Sequence, residues 1–347
     1  MKQHWFSHIL VAMVALAASS ALAGTVPLPQ AARGDGVTGA IGLDTSYLTG
    51  KAKEHVFAKG ADYGPDLGLP SDSRRHQVSR LDWDMTDVFL LGVLGSVRSG
   101  PFSLNAGLWG GLGDDDAGHM KDYDWMAGDR PEAHGPLSEG ASDYSRSDDT
   151  VTSAFIGDLN VSFDLLTSSD TYHLYPFVGM RYERYEWDAN GAHVLYSDNN
   201  YVPEYIPGKG IEYRQEYFQP YLGLGGDCVL GALTLSGYGR FAPVYWGKGK
   251  DDHIARGHFI TEDESDWECF DDVAYGLGIR AEWAFTQAFA LNAGIDWTRY
   301  ALAETDTKVI NPGDDDEEEE DEDEDIRAFG GIEMENLTVS VGVTFRF

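Results

Sequence analysis

The sequence predicts an all-β fold: a ten-stranded antiparallel transmembrane β-barrel with long extracellular strands and loops. Three observations predict it. The 347 residues include 41 Gly, 18 Tyr, 16 Phe and 9 Trp without a sustained helical period, a composition suited to strands, turns and aromatic girdles. Several segments alternate apolar and polar residues over the length of a membrane crossing, the pattern of a barrel whose closure leaves no unpaired backbone in lipid. Tight turns alternate with long Gly-, Asp- and Ser-rich loops, as in an up-and-down meander.

Residues 1–23 read as a signal peptide that is removed. Lys2 precedes an apolar run from Ile9 to Ala18, and Ala21-Leu22-Ala23 before Gly24 is a small-x-small cleavage signal. That run is too short to span a bilayer, and no other stretch has eighteen consecutive apolar residues, so any crossing must use strands. Residues 24–347 then form a single barrel domain, with tight turns at Ser99-Gly100-Pro101, Thr167 to Asp170, Leu230-Gly231 and Thr286-Gln287. Counting from Gly36 gives ten strands with both ends in the periplasm. Phe155, Leu159, Val161 and Phe163 face outward against Asp158, Asn160 and Ser162. Phe289, Leu291, Ala293, Ile295 and Trp297 oppose Asn292, Asp296 and Thr298 in the same way. The last strand alternates from Leu337 to Phe347, and its terminal Phe resembles an outer-membrane assembly signal. Between the ninth and tenth strands, residues 312–326 enclose an unbroken acidic run, Asp314 to Asp325. Such a run cannot pack, so it predicts a disordered loop and accounts for much of the net charge of -33. Such a loop is simply solvated, an electrostatic funnel for cationic peptides, or a weak site for divalent ions.

Two acidic clusters carry the candidate chemistry. Asp122 with Asp124, and Asp251 with His253, are each two residues apart, so each couple can share one face of a strand. Each cluster lies about 22 residues beyond a tight turn, a climb of roughly 50 Å against an apolar band of about 25 Å. Both should stand above the membrane, on the third and seventh strands. Bulges at Gly110-Gly111, Pro243 or Gly247 would reset that parity. With His253 as general base, Asp251 orienting it, and Asp122 and Asp124 holding a water and sharing protons, the set is a hydrolytic centre without metal or side-chain nucleophile. Repulsion inside the Asp122 and Asp124 couple would hold one of them protonated near neutral pH. The plain alternative is solvated loop acids in a chain with 58 acidic residues, and Asp114-Asp115-Asp116 is read that way. His119 is read as a bystander, and Cys228 and Cys269, expected at different heights, as free thiols. No zinc, serine-hydrolase or phosphate-loop motif occurs, no cofactor is implied, and the acidity argues against nucleic acid as a partner.

Six motifs in order resemble the omptin family of outer-membrane endoproteases: Gly50 to Glu54, Ser79 to Trp83, Asp122 to Met126, Asp143 to Arg146, Pro220 to Leu224 and Asp251 to His253. The resemblance covers essentially the whole mature chain. It implies a monomeric outer-membrane endopeptidase of the aspartate/histidine type, its groove facing the extracellular side, that cuts cationic peptides or proteins with a water held between Asp122 and Asp124 and Asp251 and His253. It further implies that Glu54 binds the residue before the cleaved bond and Asp143 the residue after it. A second acid is expected two positions before Asp251, where this chain has Gly249 between Lys248 and Lys250, so preference for basic residues should be weakened or altered. The family's lipopolysaccharide activator is implied only through Arg184, since Met180-Arg181-Tyr182-Glu183-Arg184 matches that strand in its last residue alone and Glu216 stands where a base is expected. A non-enzymatic adhesin or invasion barrel is the alternative, and it would not depend on Asp251 or His253.

Overall fold

The computed structural model describes residues 37–59, 75–113, 115–125, 141–166, 169, 171–197, 204–255, 259–265, 270, 272–310 and 329–347. The expected signal peptide, the acidic loop 312–326 and Cys269 lie outside the described residues. Thirteen strand segments follow in order: β1 (Val37–Lys59), β2 (Arg75–Ser99), β3 (Phe102–Gly111), β4 (Asp115–Asp124), β5 (Asp143–Phe163), β6 (Tyr172–Ser197), β7 (Glu204–Leu230), β8 (Leu233–Ala242), β9 (Trp246–His253), β10 (Phe259–Ser265), β11 (Ala274–Ala284), β12 (Phe289–Ile310) and β13 (Phe329–Arg346). All pairings are antiparallel, and β1 pairs with both β2 and β13, which closes the sheet on itself.

Three staves are broken in two. β3 and β4 both lie between β2 and β5, while β8 with β9 follows β7, and β10 with β11 precedes β12. Thirteen segments therefore make the ten staves that the alternation predicts. Two breaks fall where glycine and proline announced them. β3 ends at Gly111 and the chain rejoins at Asp115; β8 ends before Pro243, which has no N–H for the ladder. The residues in the gaps keep backbone bonds, Leu112 N to Phe89 O at 2.9 Å and Tyr245 N to Asp272 O at 3.0 Å. Asp115 and Asp116, expected in a loop, instead open β4, with Asp116 exposed.

Side-chain parity follows the sequence. Phe155, Leu159, Val161 and Phe163 are exposed on the outer wall, whereas Asp158, Asn160 and Ser162 are buried in the lumen. Aromatic pairs bound the apolar band at its upper edge: Tyr47 with Phe89, Phe155 with Tyr182, and Tyr275 with Trp297. At the lower edge Phe347 exchanges two backbone bonds of 2.9 Å with Gly39, where a Cβ would overlap the Phe347 ring. The lumen is filled rather than open. Arg181 pairs with Glu183, Arg240 Nη2 lies 3.1 Å from Asp296 Oδ1, and the Tyr221 hydroxyl donates to Asp158 at 2.8 Å. Higher up, Trp83 stacks on Tyr213 at 4.9 Å, and Trp187 packs against Tyr213 at 5.8 Å. Gln215 on β7 reaches across to donate to the Lys53 carbonyl on β1 at 2.9 Å. These contacts brace opposite walls below the candidate site. Cys228, half-buried near the lower turn, carries a free thiol.

Leu43 is 53% exposed on the outer wall, between Val93 and Val343 of the neighbouring strands. Leu43→Arg should lower stability in lipid vesicles by about 2 to 4 kcal/mol, because a guanidinium there lies in hydrocarbon. Denaturant unfolding in vesicles checks this, and an unchanged midpoint would contradict the assignment of that wall to lipid.

Candidate active site

Period-two alternation in Trp246–His253 points Gly247, Gly249 and Asp251 into the lumen and Lys248, Lys250 and Asp252 away from it. Asp251 is 1% exposed, sits opposite Tyr213 on β7, and its Oδ2 lies 2.8 Å from His253 Nε2. Two residues along the same strand, the imidazole is thus held by a buried carboxylate beneath it. Asp122 of β4 is buried as well, paired across the ladder with Leu81 and Ser145, whose hydroxyl donates to Asp122 Oδ2 at 3.5 Å. Tyr123 turns the other way, packs on Tyr144 at 4.9 Å, and lies under the Arg80 guanidinium at 4.7 Å. That outer cluster fixes the parity that sends Asp122 and Asp124 inward. Asp124 lies directly opposite Asp143, and the Ser142 hydroxyl contacts both strands, donating to Asp143 Oδ2 at 3.1 Å and to the Asp124 carbonyl at 2.9 Å.

Glu54 joins the two walls. It is 3% exposed on β1, and burial, then the negative charges of Asp251, Asp263 and Asp122, hold its carboxyl well above the usual carboxylate range. One side chain therefore feels Asp122 from β4 and Asp251 from β9. Sequence reasoning did not single out this effect at Glu54, where burial comes first and the like charges of the two walls add to it.

The surroundings of Gly249 correct a premise of the sequence reading. Lys248 and Lys250 do not enter the pocket. Both face outward to Glu262, at 3.6 and 3.0 Å. Inside, Asp263 of β10 lies directly across from Gly249 and is 2% exposed. Burial pushes the Asp263 carboxyl up to about 6, and the charge of Asp251 adds to the shift. Sequence reasoning missed Asp263 because it sits in Glu262-Asp263-Glu264, which resembles any solvated acidic stretch. The available signal was alternation, since Asp263 and Ser265 share the buried face of β10.

The Omptin family model matches residues 37–347. The chain belongs to the omptin family. It is similar to a plasminogen activator of Yersinia pestis, 26% identical over 98% of this chain and 99% of that protein. It also resembles the outer membrane protease OmpP of Escherichia coli K12, 26% identical over 88% of this chain and 89% of the relative. In fold it is similar to the crystal structure of the outer membrane protease OmpT from Escherichia coli, with a TM-score of 0.71 at 21% identity, covering 92% of this chain and 99% of that one. This omptin is therefore a bacterial outer-membrane barrel and a protease.

Other residues singled out from the sequence lie on the outer wall. His119 faces away from the site, between Arg146 at 2.7 Å and Asp148 at 3.2 Å. Arg184 is paired with Glu186, and Arg214 on the adjacent strand sits 3.1 Å from Glu216, which accepts from the Tyr182 hydroxyl at 2.6 Å. Among the described residues no group of three or more His, Cys, Asp or Glu side chains is arranged to hold a metal ion.

Glu54 and Asp263 both carry folded pKa values above those of an unfolded chain, which lie near 4. The folded omptin thus keeps protons that the unfolded chain has already released. Their stabilisation is whole below about pH 4, declines as pH rises, and for Asp263 is gone above its value of about 6. Thermal unfolding of the double variant Glu54→Gln, Asp263→Asn in detergent should show a flatter dependence between pH 4 and 7 than wild type. Parallel profiles would contradict the shifts.

Proposed function

We propose that this omptin is an endopeptidase that cleaves cationic peptides and proteins at the extracellular end of a monomeric barrel, with a water as nucleophile. The observation that carries the reading is the convergence on Glu54, whose buried carboxyl feels both acidic couples. With Nε2 against Asp251, the His253 imidazole takes a proton from the water through Nδ1, and Asp251 stabilises the imidazolium that forms. Asp122 and Asp124 hold the same water from the facing wall and accept its second hydrogen bond. As the tetrahedral intermediate collapses, the imidazolium returns its proton to the leaving amine. Glu54 receives the side chain before the cleaved bond, and Asp143, beside Asp124, receives the one after it. No step requires a cofactor.

The outer wall carries the second part of the proposal. Arg184 and Arg214 are neutralised by Glu186 and Glu216, so they offer little net charge to a lipid phosphate. Peptidase activity in pure phospholipid should therefore stay within about threefold of that with added lipopolysaccharide. A much larger activation would reinstate Arg184 as a lipid-binding residue.

His253→Ala and Asp122→Asn should each lower kcat/KM for peptide cleavage by about two to four orders of magnitude while leaving a heat-resistant folded barrel. Cleavage equal to wild type in both variants would sink the mechanism and favour the adhesin.

A further inference from the structure

We propose that Asp263 is a specificity-determining residue of this omptin: together with Glu54 it forms the anionic end of the pocket that takes a lysine or arginine side chain, supplying from β10 the carboxylate that position 249 of β9 lacks. The inference rests on the peptidase reading above and deepens it at one subsite.

Four strands place the groups at one level. Gln215 of β7 pairs with Gly249 of β9, Gly249 with Asp263 of β10, and Asp263 with Thr307 of β12. Directly opposite residues share a face of the sheet, so the Asp263 side chain enters the lumen where a side chain at 249 would have done. A Cβ built on Gly249 would lie 3.5 Å from Asp263 Cβ and Oδ2, and 3.3 Å from Ile332 Cγ2. The space vacated at 249 is thus bordered by the carboxyl of its ladder partner. On the other flank is Gly330 of β13, where any Cβ would overlap Asp263 Oδ1 and the Thr305 hydroxyl. Two glycines make room for one acid.

Its chemistry is directed at Glu54. Thr307 donates to Asp263 Oδ1 at 2.5 Å and fixes the carboxyl, while the Asp263 charge acts on Glu54 and is itself opposed by that of Asp251. Glu54 shares a side-chain hydrogen bond with Asp251, and its buried Oε2 has no other hydrogen-bond donor among the described residues. A buried acceptor without a donor is costly, and two neighbouring carboxylates repel unless a proton or a cation lies between them. An ammonium or guanidinium group meets both demands. Ile332, fully buried and paired with Glu54 across β1 and β13, offers an apolar wall for the alkyl stem of such a side chain. Lys248 and Lys250 cannot serve as that cation, because they sit on the opposite face with Glu262.

The test uses the full-length refolded barrel and two peptides that differ only in lysine or norleucine before the cleaved bond. Asp263→Asn keeps the side-chain size and removes the charge. It should lower the lysine-to-norleucine ratio of kcat/KM about tenfold or more, mainly through KM for the lysine peptide. Moving the carboxyl across the ladder, Gly249→Asp with Asp263→Gly, should raise the ratio again. If Asp263→Asn leaves the ratio at the wild-type value, or lowers cleavage of both peptides in proportion, Asp263 is only a structural strut and the proposal fails. Wild-type enzyme that cuts both peptides equally well also overturns it while leaving the peptidase intact. Wild-type enzyme that cuts neither overturns the peptidase reading itself.

Discussion

Burial of several carboxyl groups beside one another governs the upper end of this barrel. Glu54, Asp122, Asp251 and Asp263 come from four different strands, and each is at most 5% exposed. Charges of one sign withdrawn from water destabilise one another, so the group is tolerable only if protons, hydrogen bonds or a cationic ligand compensate. All three devices have a place here. Glu54 is driven toward its protonated form, Asp263 is held by the Thr307 hydroxyl, and Asp251 is matched by the His253 imidazole. A site poised in this way gains more from a cation than a solvated acidic surface would, because the partner restores interactions that folding removed.

Keeping such a cluster together requires walls that do not yield. Closure of β1 on β13 pairs the first strand with the last, and the lumen below is packed with Trp83, Tyr213, Trp187 and Gln215. Tyr213 illustrates the coupling between support and site. It stacks in the aromatic layer, accepts a hydrogen bond from Gln215 at 2.6 Å, and lies opposite Asp251 in the ladder. The layer that blocks the lumen also sets the height of the imidazole couple.

Most of the architecture was legible because a barrel strand has a period of two and a membrane fixes its length. The alternations in β5, β12 and β13 gave the correct inward and outward faces, and Pro243 and Gly111 marked real interruptions of the ladder. Asp122 and Asp251 were legible for the same reason, since parity survived those breaks. What escaped the sequence reading was lateral. Which residue of β10 stands opposite Gly249 depends on hairpin register, and residues 254 to 258 between the strands contain no turn signal strong enough to set it. The outward turn of Lys248 and Lys250 was in principle available from alternation about Asp251.

In a strand pair, directly opposite residues have Cβ atoms about 4.5 to 5.5 Å apart and present side chains to the same volume. A functional group can therefore move from one strand to the next without leaving its pocket, provided that the vacated position becomes small. Gly249 and Asp263 have that relationship, with Gly330 clearing the far side. Reading along β9 alone, the acid is missing; reading across the row of Gln215, Gly249, Asp263 and Thr307, it is displaced by one strand. The proposed pocket is thus defined by a ladder row rather than by one strand, since Asp263 faces the volume that a side chain at position 249 would share.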